Sequence, residues 1–251
     1  MSQQNVLDQT IYLDRNGRDI PIYVARPEKQ ARRPGVIIIH EIFGLNEHIK
    51  DVARRFALKG MVAFAPDLFE GNPGLPEDRN NLDAMRAVWQ NIPDSQFIDD
   101  LNAVYREIAK HSDVMADKVG TIGFCMGGAI ALMFAASSHK ISWVADYYGR
   151  IFYPQLTDNK PKNPIDYLDG LRCPAIFVFA GQDELITADH IEQLKQKLVQ
   201  KRHKFELKVY PEAKHAFFND QREFYNEAAS KDAWQTTLDF VGNSIRLPGA
   251  R

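Results

Sequence analysis

The sequence predicts an α/β protein in which helices cover both faces of a mostly parallel central sheet, with an antiparallel hairpin at the N-terminus. Short apolar runs, each of the length of a strand buried on both faces, alternate along the chain with stretches of helical spacing. The chain has 251 residues, of which 45% are hydrophobic, and no stretch rich in Pro, Gly or Ser divides it. We therefore expect a single domain over residues 1–251.

The N-terminal part begins with the hairpin. Residues 11–24 alternate between apolar and polar side chains around Asn16-Gly17, a dipeptide that two-residue hairpin turns favour. We expect residues 1–30 to extend the sheet in this way. The elements expected next are a strand at residues 35–40, a helix at 47–59, a strand at 61–65 and a polar surface loop at 70–80.

The rest of the chain continues the alternation of strands and helices. One or two helices are expected to carry Trp89 and Tyr105, and the apolar run before Cys125 predicts a strand. The elements expected after it are a strand at residues 142–149, a loop or cap at 150–168, strands before Asp183 and before His215, and helices at 189–200 and 222–246.

A cysteine lies between glycines where the apolar run gives way to small residues, in Gly123-Phe124-Cys125-Met126-Gly127. The two glycines remove Cβ atoms that would clash where a strand turns back sharply into a helix. Such a turn holds a nucleophile at a helix N-terminus, where the helix dipole favours negative charge, and the Met126 N–H can donate to a developing oxyanion. The alternative is a buried structural cysteine in an ordinary strand-turn-helix joint.

An acid and a base follow Cys125 in the chain. Asp183 ends an apolar strand in the pattern Gly-x-Asp, and His215 lies in a loop after the next expected strand. The order nucleophile, acid, base is the one in which an α/β-hydrolase supplies its catalytic triad. Taken singly, Asp183 is explained as a helix N-cap and His215 as a solvated loop residue, but neither explanation predicts the order or the spacing.

The chain resembles the dienelactone hydrolase family over about residues 35–220. The triad order alone fits any α/β-hydrolase, whereas the cysteine turn combined with a His-Glu-x-Phe-Gly loop is specific to this family. The stretches that carry the resemblance are His40-Glu41-Ile42-Phe43-Gly44-Leu45-Asn46, Ala65-Pro66-Asp67-Leu68-Phe69, Gly123-Phe124-Cys125-Met126-Gly127-Gly128, and Ala180-Gly181-Gln182-Asp183 with His215 beyond. The resemblance implies an α/β-hydrolase fold and a hydrolase of lactone or ester bonds.

The resemblance also implies roles for two residues of the first stretch. The Ile42 amide would form the oxyanion hole together with the Met126 amide. Glu41 would lie beside the thiol of Cys125 and take its proton when substrate binds. Without the resemblance, a loop carboxylate such as Glu41 is more simply explained as a surface group.

The sequence departs from the family pattern at substrate recognition. Dienelactone hydrolases hold the substrate carboxylate with arginines, and this chain has Asn219 and Leu82 at the two matching positions. Arg86, one helical turn beyond Leu82, is a candidate substitute, with an exposed helix arginine as the alternative. Tyr148 matches the family and is a candidate to line the pocket, with a core tyrosine as the alternative. Without bidentate arginines we expect a preference for neutral substrates over carboxylate-bearing ones.

Composition excludes several other classes of function. The net charge is −2 and charges of both signs are interspersed, so we expect no nucleic-acid partner. Without a membrane-spanning apolar stretch or an N-terminal signal, we expect a cytoplasmic protein with no membrane partner. We expect both cysteines, Cys125 and Cys173, to be reduced. No metal-ligand spacing is present and no cofactor is expected.

The sequence thus predicts a cysteine hydrolase of a small-molecule ester or lactone, acting as a monomer or a small homo-oligomer. In this interpretation Cys125 attacks the carbonyl, His215 moves the proton and Asp183 orients the imidazole. The first alternative is a general carboxylesterase for neutral esters. A second alternative is a non-catalytic protein that senses redox state or binds a ligand through Cys125.

Overall fold

The computed structural model describes residues 5–245 and is built on one eight-stranded sheet. The strands are β1 (Val6–Arg15), β2 (Arg18–Pro27), β3 (Arg33–Ile39), β4 (Val62–Pro66), β5 (Val114–Phe124), β6 (Val144–Tyr147), β7 (Ala175–Ala180) and β8 (Phe205–Tyr210). Their order in the sheet is β1-β2-β4-β3-β5-β6-β7-β8. The first two pairings are antiparallel and the other five are parallel. The mostly parallel sheet with an N-terminal hairpin is confirmed.

The hairpin turns where the sequence predicts. Asn16 and Gly17 both have positive φ, 57° and 82°, and they join β1 to β2 as a two-residue turn. Two successive residues with positive φ give the turn whose twist matches that of the flanking strands. The first four residues of the expected hairpin lie outside the described part of the chain.

Within residues 5–245, six α-helices accompany the sheet. They are α1 (Glu47–Leu58), α2 (Leu82–Asn91), α3 (Asp94–Ile108), α4 (Met126–Ser137), α5 (Ala188–Gln200) and α6 (Glu227–Ser244). α4 is buried along nearly its whole length, as its sequence of small and apolar residues favours. Every residue of β4 and of β7 is buried, so both faces of the central sheet are covered. No helix within residues 5–245 is long and apolar enough to cross a membrane.

Two of the expected elements differ from the structure. The last helix begins at Glu227 and not at residue 222, because Asn226 is extended and its side chain accepts a hydrogen bond from the Ala229 amide, which caps the helix. The predicted end at residue 246 lies outside the described residues. The loop expected at residues 150–168 contains a short 3₁₀ helix at Pro164–Asp169, which an N-terminal proline and an Asn163 capping box favour.

The sheet brings several loops to one edge. Parallel strands have their carboxyl ends at the same edge of a sheet, and the loops after β3, β5, β6, β7 and β8 therefore gather there. These loops carry the candidate residues Glu41, Cys125, Asp183 and His215. The architecture thus explains how residues far apart in the chain come together.

A buried ion pair attaches the loop after β6 to the body of the protein. The Lys160 ammonium donates to Asp94 Oδ1 at 2.8 Å and to the Ile92 carbonyl at 2.7 Å, and both side chains of the pair are almost fully buried. The Tyr153 hydroxyl donates to the same carboxylate. Burial raises the pKa of Asp94 and lowers the pKa of Lys160, and the attraction between the two charges opposes both shifts.

Replacing Lys160 tests the importance of this pair. Lys160→Met leaves Asp94 buried without its counter-ion, so we expect the free energy of unfolding to fall by about 3–5 kcal/mol near neutral pH. Urea denaturation measures this free energy of unfolding. The double variant with Asp94→Leu should recover much of the loss because no unpaired charge remains. Lys231→Met, which breaks an exposed pair with Glu227, is the control and should have little effect. An unchanged urea midpoint in Lys160→Met would contradict the prediction.

Candidate active site

Cys125 lies in a strained turn between β5 and α4. It is not glycine, yet its φ is 56° and its ψ is −118°. A Cβ on Gly123 would lie 1.8 Å from the Gly127 carbonyl oxygen, and a Cβ on Gly127 would lie 2.3 Å from that of Ile39. The Cys125 amide donates to the Tyr147 carbonyl at 2.9 Å, which ties the turn to β6. Both glycines are therefore required for steric reasons, as the sequence pattern predicts.

Three candidate residues form a chain of hydrogen bonds. His215 Nε2 lies 3.1 Å from Cys125 Sγ, and His215 Nδ1 lies 2.7 Å from Asp183 Oδ2. The other carboxylate oxygen of Asp183 accepts from the Leu185 amide at 2.8 Å, which fixes the orientation of the carboxylate. The thiol is thus within reach of a base that a third group orients, which is the geometry that nucleophilic catalysis requires.

The charge state of His215 follows from its neighbours. Burial by itself would lower the pKa of His215, but the negative charge on Cys125 and the hydrogen bonds to Asp183 and Cys125 outweigh burial and raise the pKa to about 10. The imidazole consequently carries a proton at neutral pH. An imidazolium beside a thiolate can both preserve the nucleophile and supply a proton to a leaving group.

Two backbone amides beside the cavity have their hydrogen-bonding capacity free. Within residues 5–245, the N–H groups of Ile42 and Met126 donate no hydrogen bond, and both residues border the cavity in which Cys125 lies. Because Gly127 has no side chain, the start of α4 can approach the end of β3 and the Ile42 loop closely. This arrangement can present two donors to one oxygen atom.

Glu41 is buried at the same cavity and is held by Asn219. Glu41 is 2% exposed, and its Oε2 accepts from Asn219 Nδ2 at 2.6 Å. The amide of Asn219 is oriented because its Oδ1 accepts from the Gln221 amide at 3.0 Å. Glu41 Oε1 is buried and has no hydrogen-bond partner among the described residues. Glu41 is therefore not a solvated surface group, and its second oxygen is free for a proton or a ligand.

The cavity above Cys125 has a volume of about 670 Å³, a size that holds a small organic molecule. Its wall mixes apolar and aromatic side chains with charged ones. The lining residues are Glu41, Ile42, Phe43, Leu82, Arg86, Trp89, Gln90, Cys125, Met126, Ala129, Arg150, Tyr153, Pro154, Gln182, Glu184, Leu185, Lys214, His215, Ala216, Arg222, Glu223 and Phe224.

Tyr148 is not among the residues that line this cavity, and its role at the substrate stays a prediction from the sequence. Its side chain is fully buried, and its ring packs edge-on against His215 at 5.3 Å between centroids and against Phe217 at 5.6 Å. The Tyr148 amide donates to the Val178 carbonyl at 2.8 Å, which holds the backbone along the neighbouring strand. Tyr148 therefore packs against the histidine, and its hydroxyl is buried with no hydrogen-bond partner among the described residues.

The two positions in α2 lie at the opening of the cavity. Leu82 is exposed, as is about half of the Arg86 side chain. Arg86 Nη1 lies 3.3 Å from Asp83 Oδ1, one turn earlier in the same helix. Arg86 thus borders the cavity, as the sequence suggests, but its charge is already paired with a neighbouring carboxylate.

Sequence reasoning missed two other arginines of the cavity wall. Arg150 and Arg222 are both half-buried, and neither forms an ion pair within the described part of the chain. The Arg222 guanidinium lies over the Phe43 ring at 3.9 Å and donates to Asn80. The only sequence signal for Arg150 is that it follows the end of an expected strand. The cavity therefore contains guanidinium groups at positions other than those that the family pattern indicates.

Cys173 has none of the features of Cys125. It is buried, and burial raises the pKa of its thiol to about 12. Both cysteines are free thiols. Within residues 5–245, no group of three or more His, Cys, Asp or Glu side chains is arranged to hold a metal ion.

Comparison with known proteins gives consistent results. A model of the dienelactone hydrolase family matches residues 20–245. A Salmonella typhi protein named "Putative carboxymethylenebutenolidase" is 37% identical over 227 residues, 89% of this chain and 83% of that protein. A Bradyrhizobium protein named "Probable 2-oxo-3-(5-oxofuran-2-ylidene)propanoate lactonase" is 31% identical, with 96% of each chain covered.

A solved structure agrees with these relatives. The crystal structure of a "Putative Dienelactone Hydrolase" from Klebsiella pneumoniae superimposes with a TM-score of 0.88 at 32% identity, covering 95% of this chain and 99% of that one. Because the family match, the relatives and this structure each cover most of the chain, the protein belongs to the dienelactone hydrolase family, with the α/β-hydrolase fold, and is a hydrolase of ester or lactone bonds.

Proposed function

We propose that the protein is a lactone or ester hydrolase that uses Cys125 as its nucleophile. The observation that carries the proposal is the relay from Cys125 Sγ to His215 Nε2 at 3.1 Å and from His215 Nδ1 to Asp183 at 2.7 Å, placed at a strained turn that faces the cavity. The family relationship supports the reaction class, and this relay supports the identity of the nucleophile.

The first half of the reaction forms a thioester. The thiolate of Cys125 attacks the substrate carbonyl carbon, and the amides of Ile42 and Met126 stabilise the oxyanion that develops. The tetrahedral intermediate then collapses, the carbon–oxygen bond of the ester breaks, and the His215 imidazolium gives its proton to the leaving alkoxide. In a lactone this alcohol remains attached to the acyl group.

The second half regenerates the enzyme. The now neutral His215 accepts a proton from water, which attacks the thioester carbonyl, and the same two amides stabilise the second oxyanion. Collapse of this intermediate breaks the carbon–sulfur bond, releases the carboxylic acid and restores the thiolate. Asp183 keeps the imidazole in the required orientation in both halves.

We assign Glu41 a supporting role in this proposal. Its free Oε1 is buried at the cavity that Cys125 borders, and Asn219 holds the other oxygen in place. A carboxylate in this position can accept the proton of the thiol whenever Cys125 is protonated, which gives the nucleophile a second base.

Two substrate classes remain candidates. The names of the relatives favour lactones, and the Bradyrhizobium name describes a lactone that carries a carboxylate. The apolar part of the cavity wall, together with Asn219 and Leu82 at the family's arginine positions, favours a general carboxylesterase for neutral esters. Arg150 and Arg222 offer a carboxylate two cationic groups that the sequence-based expectation did not include.

The remaining alternative is a non-catalytic protein that senses redox state or binds a ligand through Cys125. It has less support, because the only other cysteine of the sequence, Cys173, is buried and its thiol pKa is raised to about 12. A cytoplasmic location, a monomeric or small homo-oligomeric state, and the lack of nucleic-acid or membrane partners stay predictions from composition.

Replacing the nucleophile tests the proposal directly. Cys125→Ala should lower kcat/KM for aryl esters and lactones by more than about a thousandfold, because triad members act as a unit. Rapid quenching of the native protein with a slowly hydrolysed ester should leave an acyl group on the Cys125 peptide, detected by mass spectrometry. The control, Cys173→Ala, should retain turnover. Near-normal turnover in Cys125→Ala would refute the mechanism.

The pH dependence of kcat/KM tests the charge state of His215. His215 must hold a proton to give to the leaving alkoxide, so we expect activity to fall as the pH rises through its raised pKa of about 10. Asp183→Asn removes a contribution that raises this pKa and should move the alkaline limb to lower pH. Glu184→Gln, which alters an exposed carboxylate of the cavity wall, is the control and should leave the limb in place. An unchanged limb in Asp183→Asn would contradict this assignment.

Matched arginine variants test the substrate class. Because Arg150 is half-buried without an acidic partner and Arg86 is paired with Asp83, Arg150→Met should lower kcat/KM for a carboxylate-bearing lactone by about tenfold and leave its methyl ester unchanged. Arg86→Met should change neither value. In the native protein, the ratio of kcat/KM for the carboxylate-bearing lactone to kcat/KM for its methyl ester distinguishes a dienelactone-type enzyme from an esterase for neutral substrates. A larger effect from Arg86→Met would show that the anchor lies in α2.

A further inference from the structure

His40 is fully buried at the end of β3, between two backbone groups. Its Nδ1 lies 2.7 Å from the Glu41 carbonyl oxygen. Its Nε2 lies 3.0 Å from the Leu68 amide nitrogen, in the loop that follows β4. Neither neighbour is a side chain of the proposed catalytic relay, so the mechanism above gives His40 no part.

These two contacts determine where the imidazole carries its proton. An amide N–H can only donate, so Nε2 must accept the hydrogen bond from Leu68 and carry no proton. A carbonyl oxygen can only accept, so Nδ1 must carry the proton and donate it to Glu41. His40 is therefore neutral with its proton on Nδ1, and burial, which lowers the pKa of His40, supports the same state.

The ring is also held from the side. The Phe69 ring lies 5.0 Å from it between centroids. Asp67 Oδ1 lies 3.8 Å from Nε2, and the other oxygen of that carboxylate is paired with Arg79. The negative charge of Asp67 is thus already balanced by Arg79, and nothing among the described residues forces a second proton onto His40.

The carbonyl that His40 holds belongs to the same peptide unit as the Ile42 amide. All described peptide bonds are trans, so the carbonyl of Glu41 and the N–H of Ile42 point in opposite directions across one plane. The Glu41 oxygen accepts a second hydrogen bond, from the Gly44 amide at 3.1 Å. Holding the oxygen on the His40 side therefore directs the Ile42 N–H away from His40, and Ile42 is one of the residues that line the cavity.

We propose that His40 is a positioning residue that orients the Glu41–Ile42 peptide so that the Ile42 N–H is preset to bind the oxyanion. The inference rests on the proposed function, since it assigns Ile42 its role there. A donor that is already oriented stabilises the transition state without a reorganisation step. Rotation of this peptide would direct a carbonyl oxygen toward the developing negative charge.

A pair of variants isolates the contact with Glu41. Both His40→Leu and His40→Asn remove the acceptor for the Leu68 amide, but only asparagine, through its Nδ2, retains a donor at the position of Nδ1. We expect His40→Leu to lower kcat by about tenfold or more, toward the 10²- to 10³-fold loss typical of a missing oxyanion donor, with KM nearly unchanged. His40→Asn should remain within about threefold of the native kcat.

Alkylation by iodoacetamide separates this effect from general damage. The thiolate attacks a saturated carbon in that reaction and no oxyanion forms, so the rate at Cys125 should be the same in both variants and in the native protein. Equal losses of kcat in His40→Leu and His40→Asn, or slowed alkylation in His40→Leu, would overturn the proposal. Failure of Cys125→Ala to lose activity would instead refute the proposed function, and the two failures are thus distinguishable.

Nitrogen NMR on the native protein provides a measurement that does not depend on variants. With ¹⁵N-labelled histidine, His40 should show a protonated Nδ1 and an unprotonated Nε2 at neutral pH, assigned by the loss of its signals in His40→Asn. A proton on Nε2 would overturn the proposal, because Nδ1 could not then donate to Glu41. This readout remains decisive even if His40→Leu does not fold.

Discussion

The close contact between the start of α4 and the end of β3 is the constraint on which the site depends. Only the absence of a side chain at Gly127 lets the helix approach the Ile39 and His40 carbonyl groups. This approach holds Cys125 in a backbone conformation that costs a non-glycine residue about 1–3 kcal/mol. It also brings the Ile42 loop to the helix N-terminus, so that one steric contact serves both the thiol and the proposed oxyanion donors.

Polar groups in the site are held by partners that are themselves fixed by backbone. Asp183 is oriented by the Leu185 amide, Asn219 by the Gln221 amide, and His40 by the Leu68 amide. The other polar atom of each of these side chains contacts His215, Glu41 or the Glu41 carbonyl. A site organised in this way needs little rearrangement when charge develops, because few of its groups have an alternative partner.

Much of the fold was predictable because local patterns and tertiary structure agree. The hairpin follows from Asn16-Gly17, and the buried strands follow from continuous apolar runs. The start of the last helix was not predictable from spacing, because Asn226 competes with the helix by capping it from the side chain. For Tyr148 the sequence leaves two positions open, because a residue after a strand end is compatible with either side of His215, and only packing decides between them.

For the site, the sequence by itself pointed to the three relay residues. The glycines of the turn are a local pattern, and the chain order of Cys125, Asp183 and His215 places all three at one edge of a parallel sheet. Only the tertiary structure decided what surrounds the relay. The Asn219 side-chain amide donates a hydrogen bond to Glu41, and Arg150 and Arg222 border the cavity. No sequence motif marks any of these three residues. Such contacts join loops that are distant in sequence, and their geometry depends on how the whole sheet is packed and not on local pattern.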